Sequence, residues 1–221
     1  YQMNWPGSGD PYYISDGGTR RSYYRCDAVP RLFAGGNVSG LTSAEILNTS
    51  LNNEKNRKTY ISLTANHSVN ETSRQISLEV NLLPFVTSDE FTLQAAVVEK
   101  ETSRNASTNG ETGFHNVLMK MIPDGKGTVL KLVDKMPVRL NLSASLSLTK
   151  IEEISDLAVV VFVQNNATKE VVQSVYSSDL NTAANQMFIP KGIDAQVFPS
   201  PFSHILQIRV NQPLPDAIQL D

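Results

Sequence analysis

Apolar and polar residues alternate along much of the stretch from residue 58 to 180, the two-residue period of strands with one buried face. Ile61, Leu63 and Ala65 alternate with polar neighbours, and Asn70-Glu71-Thr72 marks a turn. Ile76, Leu78, Val80 and Leu82 then alternate with Ser77, Glu79 and Asn81, which predicts a strand with one wet face. Phe91, Leu93, Ala95 and Val97 predict another, and Val129–Val133 a further one. The longest alternation sets Val138, Leu140, Leu142, Ala144, Leu146 and Leu148 on one face, with Arg139, Asn141, Ser143, Ser145 and Ser147 on the other. Leu157–Val163 is apolar throughout, as in a central strand covered on both sides, and Asn165-Asn166 turns it into Glu170–Tyr176. About seven or eight short strands separated by turns predict an antiparallel β-sandwich.

One segment breaks the period. Phe114, Val117, Leu118 and Met121 fall at the i, i+3, i+4, i+7 spacing of a helix face, and Pro123-Asp124-Gly125-Lys126-Gly127 follows as a tight turn. The spacing predicts one short helix inserted into the sandwich, its four apolar residues on the core and Lys120 and Lys126 in solvent.

Residues 1–57 read as α/β. Tyr1–Trp5 is expected to end a strand, and Gly18–Cys26 to be helical, with Asp16 as its cap and Arg20, Arg21 and Arg25 on its outer face. Val29-Pro30 breaks this helix, and residues 31–34 form a short strand ending at Gly35-Gly36. Thr42 and Glu45 stand at the spacing of a capping box, and Leu41 and Ile46 at that of a hydrophobic staple. Ala44, Leu47 and Leu51 continue the buried face of that helix up to Asn56. From 181 to 192 the pattern is lost, as in a linker. Val197-Phe198-Pro199-Ser200-Pro201-Phe202 then precedes an alternation of Leu206, Ile208 and Val210.

Net charge −3 over 221 residues gives no general attraction to nucleic acid. No apolar run approaches the length of a membrane-spanning helix. A single cysteine, Cys26, excludes an internal disulfide framework. The chain begins at Tyr1 and ends within an unfinished strand pattern, so a piece of a longer protein is expected.

Candidate chemistry is sparse. His67, His115 and His204 lie far apart without a ligand at zinc spacing; surface or capping roles are expected. Cys26 beside Arg25 could react as a thiolate, but a small residue at a helix end explains it as well. Lys126-Gly127-Thr128 departs from a phosphate loop, because Gly127 separates the lysine from the hydroxyl. Glu152-Glu153 and Asp89-Glu90 read as solvated loop charges. Tyr12, Tyr13, Arg20, Arg21, Tyr24 and Arg25, with Tyr23, form the one basic-aromatic cluster, a candidate binding surface for a sugar or an anion; an amphipathic helix whose arginines extend along it into solvent is the commoner explanation. Seven N-x-S/T sequons, at Asn37, Asn48, Asn66, Asn70, Asn105, Asn141 and Asn166, mean glycosylation in a eukaryotic secreted protein and only a polar surface in a bacterium. No catalytic residue, cofactor site or metal site is assigned.

Three stretches carry a family resemblance. N-W-P-G-S-G-D-P-Y-Y followed by T-R-R-S-Y-Y-R-C-D-A-V-P-R-L-F resembles the later half of a thioredoxin-like domain, with Pro30 at the place of its cis-proline. G-E-T-G-F-H-N-V-L-M-K-M-I-P-D-G-K-G-T resembles a segment of Bacteroidetes outer-membrane surface proteins, of the Porphyromonas outer-membrane antigen type, which join such a region to a β-sandwich. V-F-P-S-P-F-S-H-I-L-Q-I is similar to the opening of a type IX secretion sorting domain, with Ser200 departing from the usual Asn. Val197, Phe198, Pro199, Pro201 and Phe202 would form the sorting-signal region.

The resemblance implies a mainly β protein: a partial thioredoxin-like domain at 1–57, a β-sandwich at 58–180, a linker at 181–192 and the start of a sorting domain at 193–221. It implies a non-catalytic, cell-surface or secreted binding or structural protein. Its expected partners are the type IX machinery and a protein or glycan, and it could be a subunit of an outer-membrane assembly. A thiol-disulfide oxidoreductase with C-x-x-C upstream of residue 1 is the alternative.

Overall fold

The computed structural model describes residues 11–27, 31–38, 44–104, 112–180, 195–198 and 207–210. The chain divides into two compact units, Tyr1–Asn181 and Thr182–Asp221.

The first unit is mainly β and antiparallel, as the alternation predicts. One sheet runs β10 (Val171–Tyr176), β9 (Leu157–Asn165), β5 (Ser88–Thr102), β6 (Phe114–Ile122), with β7 (Thr128–Leu132) also on β5. The other runs β11 (Ser178–Asp179), β3 (Ile61–Asn70), β4 (Gln75–Pro84), β8 (Val138–Ser145). Among the described residues only β11 pairs parallel, against β3. The core lies between the sheets. Ile61, Leu63, Ile76, Leu78, Val80 and Leu82 from one meet Leu93, Ala95, Val97, Val159, Val161 and Val163 from the other. Removal of their apolar surface from water is what holds the layers together.

The chain between Glu111 and Pro123 corrects the sequence reading. Phe114–Ile122 is strand β6, not a helix. Pairing with β5 shifts by one residue between Val97 and Val98, so that Val97 faces Lys120 and Val98 faces Leu118. Met119 is the extra residue of a β-bulge. The bulge offsets the two-residue period, and both faces of β6 are covered. Leu118 and Met121 pack under the first helix with Ala96 and Val98, while Val117 and Met119 pack with Tyr12. Apolar residues on both faces of a bulged strand therefore imitate a helical spacing.

Helix α1 (Ser15–Tyr24) ends at Arg25, in the left-handed region at φ 53. Asp16 is not its cap: the N-cap is Ile14, and no side chain bonds there. A hairpin of β1 (Phe33–Ala34) and β2 (Asn37–Val38) follows. Helix α2 (Ala44–Lys55) stands where the capping-box reading expects one, although Leu41 and Thr42 lie outside the described residues. Leu51, expected on the buried face, is 45% exposed. Likewise β8 stops at Ser145, leaving Leu148 98% exposed, because the chain turns through a bond from Thr149 N–H to Leu146 O at 3.2 Å.

In the second unit β12 (Ala195–Phe198) and β13 (Gln207–Val210) form an antiparallel pair, Ala195 opposite Val210. Val197 and Phe198 of the expected sorting region fall in β12. Pro199, Pro201, Phe202, Pro30, the 181–192 linker and His204 lie outside the described residues.

Candidate binding cleft

Sheet β10-β9-β5-β6 turns its outer face to α1 and the β1–β2 hairpin, and this face is polar as well as covered. Thr92, Gln94 and Gln164 are at most 4% exposed. Burying such groups is costly unless each finds a partner. Gln94 Nε2 donates to Lys126 O at 2.9 Å. Gln164 Nε2 donates to Tyr24 OH at 2.8 Å and Lys169 O at 2.7 Å.

Arg20 completes this layer. It is 1% exposed, not on an outer face as the amphipathic reading expects. Its Nη2 donates to Gln164 Oε1 at 2.5 Å and Tyr24 OH at 3.0 Å. The guanidinium lies 4.5 Å from the centroid of Tyr23, 4.9 Å from Tyr24 and 5.9 Å from Phe162. Among the described residues no carboxylate forms an ion pair with it. Three rings and an amide replace the usual counter-ion; a planar, weakly hydrated guanidinium suits such a setting better than an ammonium. Burial pushes the Tyr23 hydroxyl above its usual range, partly offset by the Arg20 charge.

A second anchor lies at the start of α1. The buried Asp16 carboxylate accepts from Met121 N–H at 3.1 Å, Gly125 N–H at 3.0 Å and Lys120 Nζ at 3.1 Å. Lys120 is thus tied down, whereas Lys126 is exposed. A Cβ on Gly125 would meet Asp16 O at 2.8 Å, so glycine is what lets the helix reach the turn.

Beside the Arg20 stack is an open cleft of about 500 Å³. Tyr24, Phe33, Val160 and Phe162 give it an aromatic and aliphatic floor, and Leu51, Glu54 and Lys55 of α2 form one wall. Tyr24 and Phe33 lie 4.7 Å apart, centroid to centroid. The hairpin is held against β10 by Val171 N–H donating to Gly35 O at 2.8 Å. Gly36 (φ 87) fits so closely that a Cβ there would stand 1.8 Å from Lys169 O. At the rim Arg57 pairs with Glu54 at 2.8 Å and with Glu170. The floor can take an apolar or planar group, and the rim can hydrogen-bond its polar edge.

The basic-aromatic cluster of the sequence is therefore divided. Arg20 and Tyr24 form the back of the cleft. Tyr12 is buried elsewhere, donating to Glu152 Oε1 and packing edge-on against Phe114 at 6.1 Å. Arg21 Nε donates to Cys26 O at 3.2 Å, while Tyr13 and Arg25 are exposed. Cys26 is buried. Phe33, Phe162 and Gln164 were not singled out by sequence; Phe162 belongs to the Leu157–Val163 run expected to be covered on both sides, which was the available signal, and Gln164 follows that run directly.

Other polar residues also settle into structural places. Glu99 is fully buried and accepts from Glu152 N–H at 3.0 Å and Glu153 N–H at 2.5 Å. Burial raises its carboxyl, although those bonds work against the rise. Glu152 is not a free loop charge. Burial would raise it, but bonds from Tyr12 and the Ser103 and Arg104 N–H groups leave it below the usual range. His67 faces inward, 3% exposed, 2.9 Å from Ser177 Oγ, and burial lowers it. His115 is exposed. Among the described residues no group of three or more His, Cys, Asp or Glu is placed to hold a metal, and no helix is long and apolar enough to cross a membrane.

The fold defines a class, a two-sheet antiparallel β-sandwich with one outer face covered and one open. No protein-family model matches the chain, and no curated protein matches it. Among solved structures it is distantly similar to a domain of the outer membrane lipoprotein Omp28 from Porphyromonas gingivalis. The identity is 15% and the TM-score 0.39, covering 56% of this chain and 90% of that one.

Proposed function

We propose that the chain is a non-catalytic binding or structural protein of the cell surface, associated with the outer membrane. Its cleft takes a protein or glycan partner, and its C-terminal segment addresses it to type IX secretion. The observation that carries the binding reading is the open cleft floored by Tyr24, Phe33 and Phe162. Its charged rim residues Arg57, Glu54 and Glu170 pair with one another, which supports recognition over chemistry. Surface placement and export rest on the segment resemblances at Gly110–Thr128 and Val197–Ile208.

Two measurements test this reading. Deleting residues from 190 onward is expected to retain the protein in the periplasm on fractionation; undiminished surface exposure would remove the export claim. Phe33→Ser is expected to abolish capture on glycan and peptide arrays relative to the unsubstituted chain. Equal capture by both would place recognition outside the cleft.

A further inference from the structure

The outer edges of the two sheets are not equally finished. The β10 edge receives the hairpin through Val171 N–H and Gly35 O at 2.8 Å. The β6 edge receives Asp16 on Met121 N–H. The β3 edge receives β11 and a bond from Leu180 N–H to His67 O at 2.8 Å. Strand β8 pairs with β4 over Val138–Ser145, and among the described residues no main-chain bond reaches its other side.

Alternation fixes which groups are left over. Leu146 N–H donates to Arg74 O at 2.7 Å, one step beyond the Gln75–Ser145 pair. In an antiparallel ladder bonded positions alternate, so Val138, Leu140, Leu142 and Ala144 bond towards β4. Arg139, Asn141, Ser143 and Ser145 turn their N–H and C=O groups outward along the edge. The inward side chains tell the same story. Val138, Leu140, Leu142 and Ala144 are only half-buried, whereas Ile76, Leu78, Val80 and Leu82 of β4 are at most 2% exposed.

Edge strands are normally protected by charge, proline or a bulge. Between Val138 and Ser145 there is no proline, and the register with β4 is unbroken. The one charge, Arg139, leans back onto its own sheet, its Nε donating to Asn81 Oδ1 at 2.9 Å.

We propose that two copies of this chain pair antiparallel through β8 about a two-fold axis at Leu142, making one continuous sheet. In that register Leu142 meets Leu142 of the second copy and Leu140 meets Ala144, so half-buried apolar side chains cover one another on the inner face. Asn141 meets Ser143, and Arg139 meets Ser145, so no like charges are opposed. The outward-turned groups supply roughly eight main-chain hydrogen bonds. A register shifted by one residue would set apolar against polar faces, and a two-fold interface is by nature self-complementary.

Light scattering on the intact chain across a concentration series is expected to approach twice the 24.3 kDa chain mass. Ser143→Pro removes an edge-facing N–H without touching the β4 ladder; it is expected to return the mass to one chain with the melting temperature little changed. Leu142→Cys is expected to give a covalent dimer on mild oxidation, and Thr64→Cys, on the wet face away from the edge, none. A mass of one chain throughout the series would overturn the proposal, as would a dimer that survives Ser143→Pro. Should Ser143→Pro fail to fold, absence of the Leu142→Cys cross-link overturns it instead.

Discussion

On the outer face of sheet β10-β9-β5-β6, Thr92, Gln94 and Gln164 are buried beneath α1 and its neighbours. On the outer face of β11-β3-β4-β8, Ser62, Thr64, Ser77 and Ser143 stand in water. Both sheets share one core, so the difference lies in what covers the second side. A covered face needs internal partners for the polar groups it contains, and it obtains them from far along the chain, with Gln94 Oε1 and Arg20 Nε left without one. Arg20 and Gln164 are 144 residues apart. A wet face needs no such partners, since solvent supplies them, and its residues need only be polar.

The largest effect that could break this comparison is expected from Arg20→Leu. Losing the guanidinium strands Gln164 Oε1 and leaves three rings around a poorly filled space. Stability should fall by about 3 kcal/mol, measured by urea unfolding at neutral pH. The matched change on the wet face, Ser77→Ala, should stay within about 0.5 kcal/mol. Equal losses from the two would mean that covering does not set the cost.

Asp16→Asn should cost less, about 2 kcal/mol, since the amide keeps an acceptor but not the charge that holds Lys120. Hydrogen exchange should quicken selectively at the Met121 and Gly125 amides, the two that Asp16 accepts from. Unchanged protection there would show that α1 is held by packing alone.

The smallest expected effect concerns His67, the buried polar group on the inner side of the wet-faced sheet. Burial lowers its folded-state pKa below the ordinary 6.5. The unfolded chain therefore takes up its proton first on acidification. The His67 contribution is fully present above pH 6.5 and is lost as pH falls below it. His67→Asn should flatten that part of the urea-midpoint profile below pH 6.5. An unchanged slope would assign the acid sensitivity elsewhere.

How much of this was legible depends on which face a residue meets. The alternation in β3 and β4 was readable because water covers one side and the core the other. β9 was readable as apolar on both sides for the opposite reason. β6 was misread because a bulge at Met119 and two covered faces together reproduce the helical period. Arg20 was misread because a helix with arginines ordinarily lets them extend along apolar surface into solvent. Nothing local reports that Gln164 and Phe162 wait for it. The cleft was not legible for the same reason: Phe33, Leu51 and Phe162 meet only when a hairpin, a helix and a sheet come together.

The bulge at Met119 also bears on chain length. Residues 114–118 and 120–122 follow opposite parities against β5, and one extra residue reconciles them. Removing Met119 alone would leave every flanking pair as it stands, Leu118 opposite Val98 and Lys120 opposite Val97, and turn the bulged ladder into a regular one. Removing Val117 with the bulge kept would instead bring exposed Asn116 opposite buried Glu99. In β6 the site of a change in length therefore decides its cost.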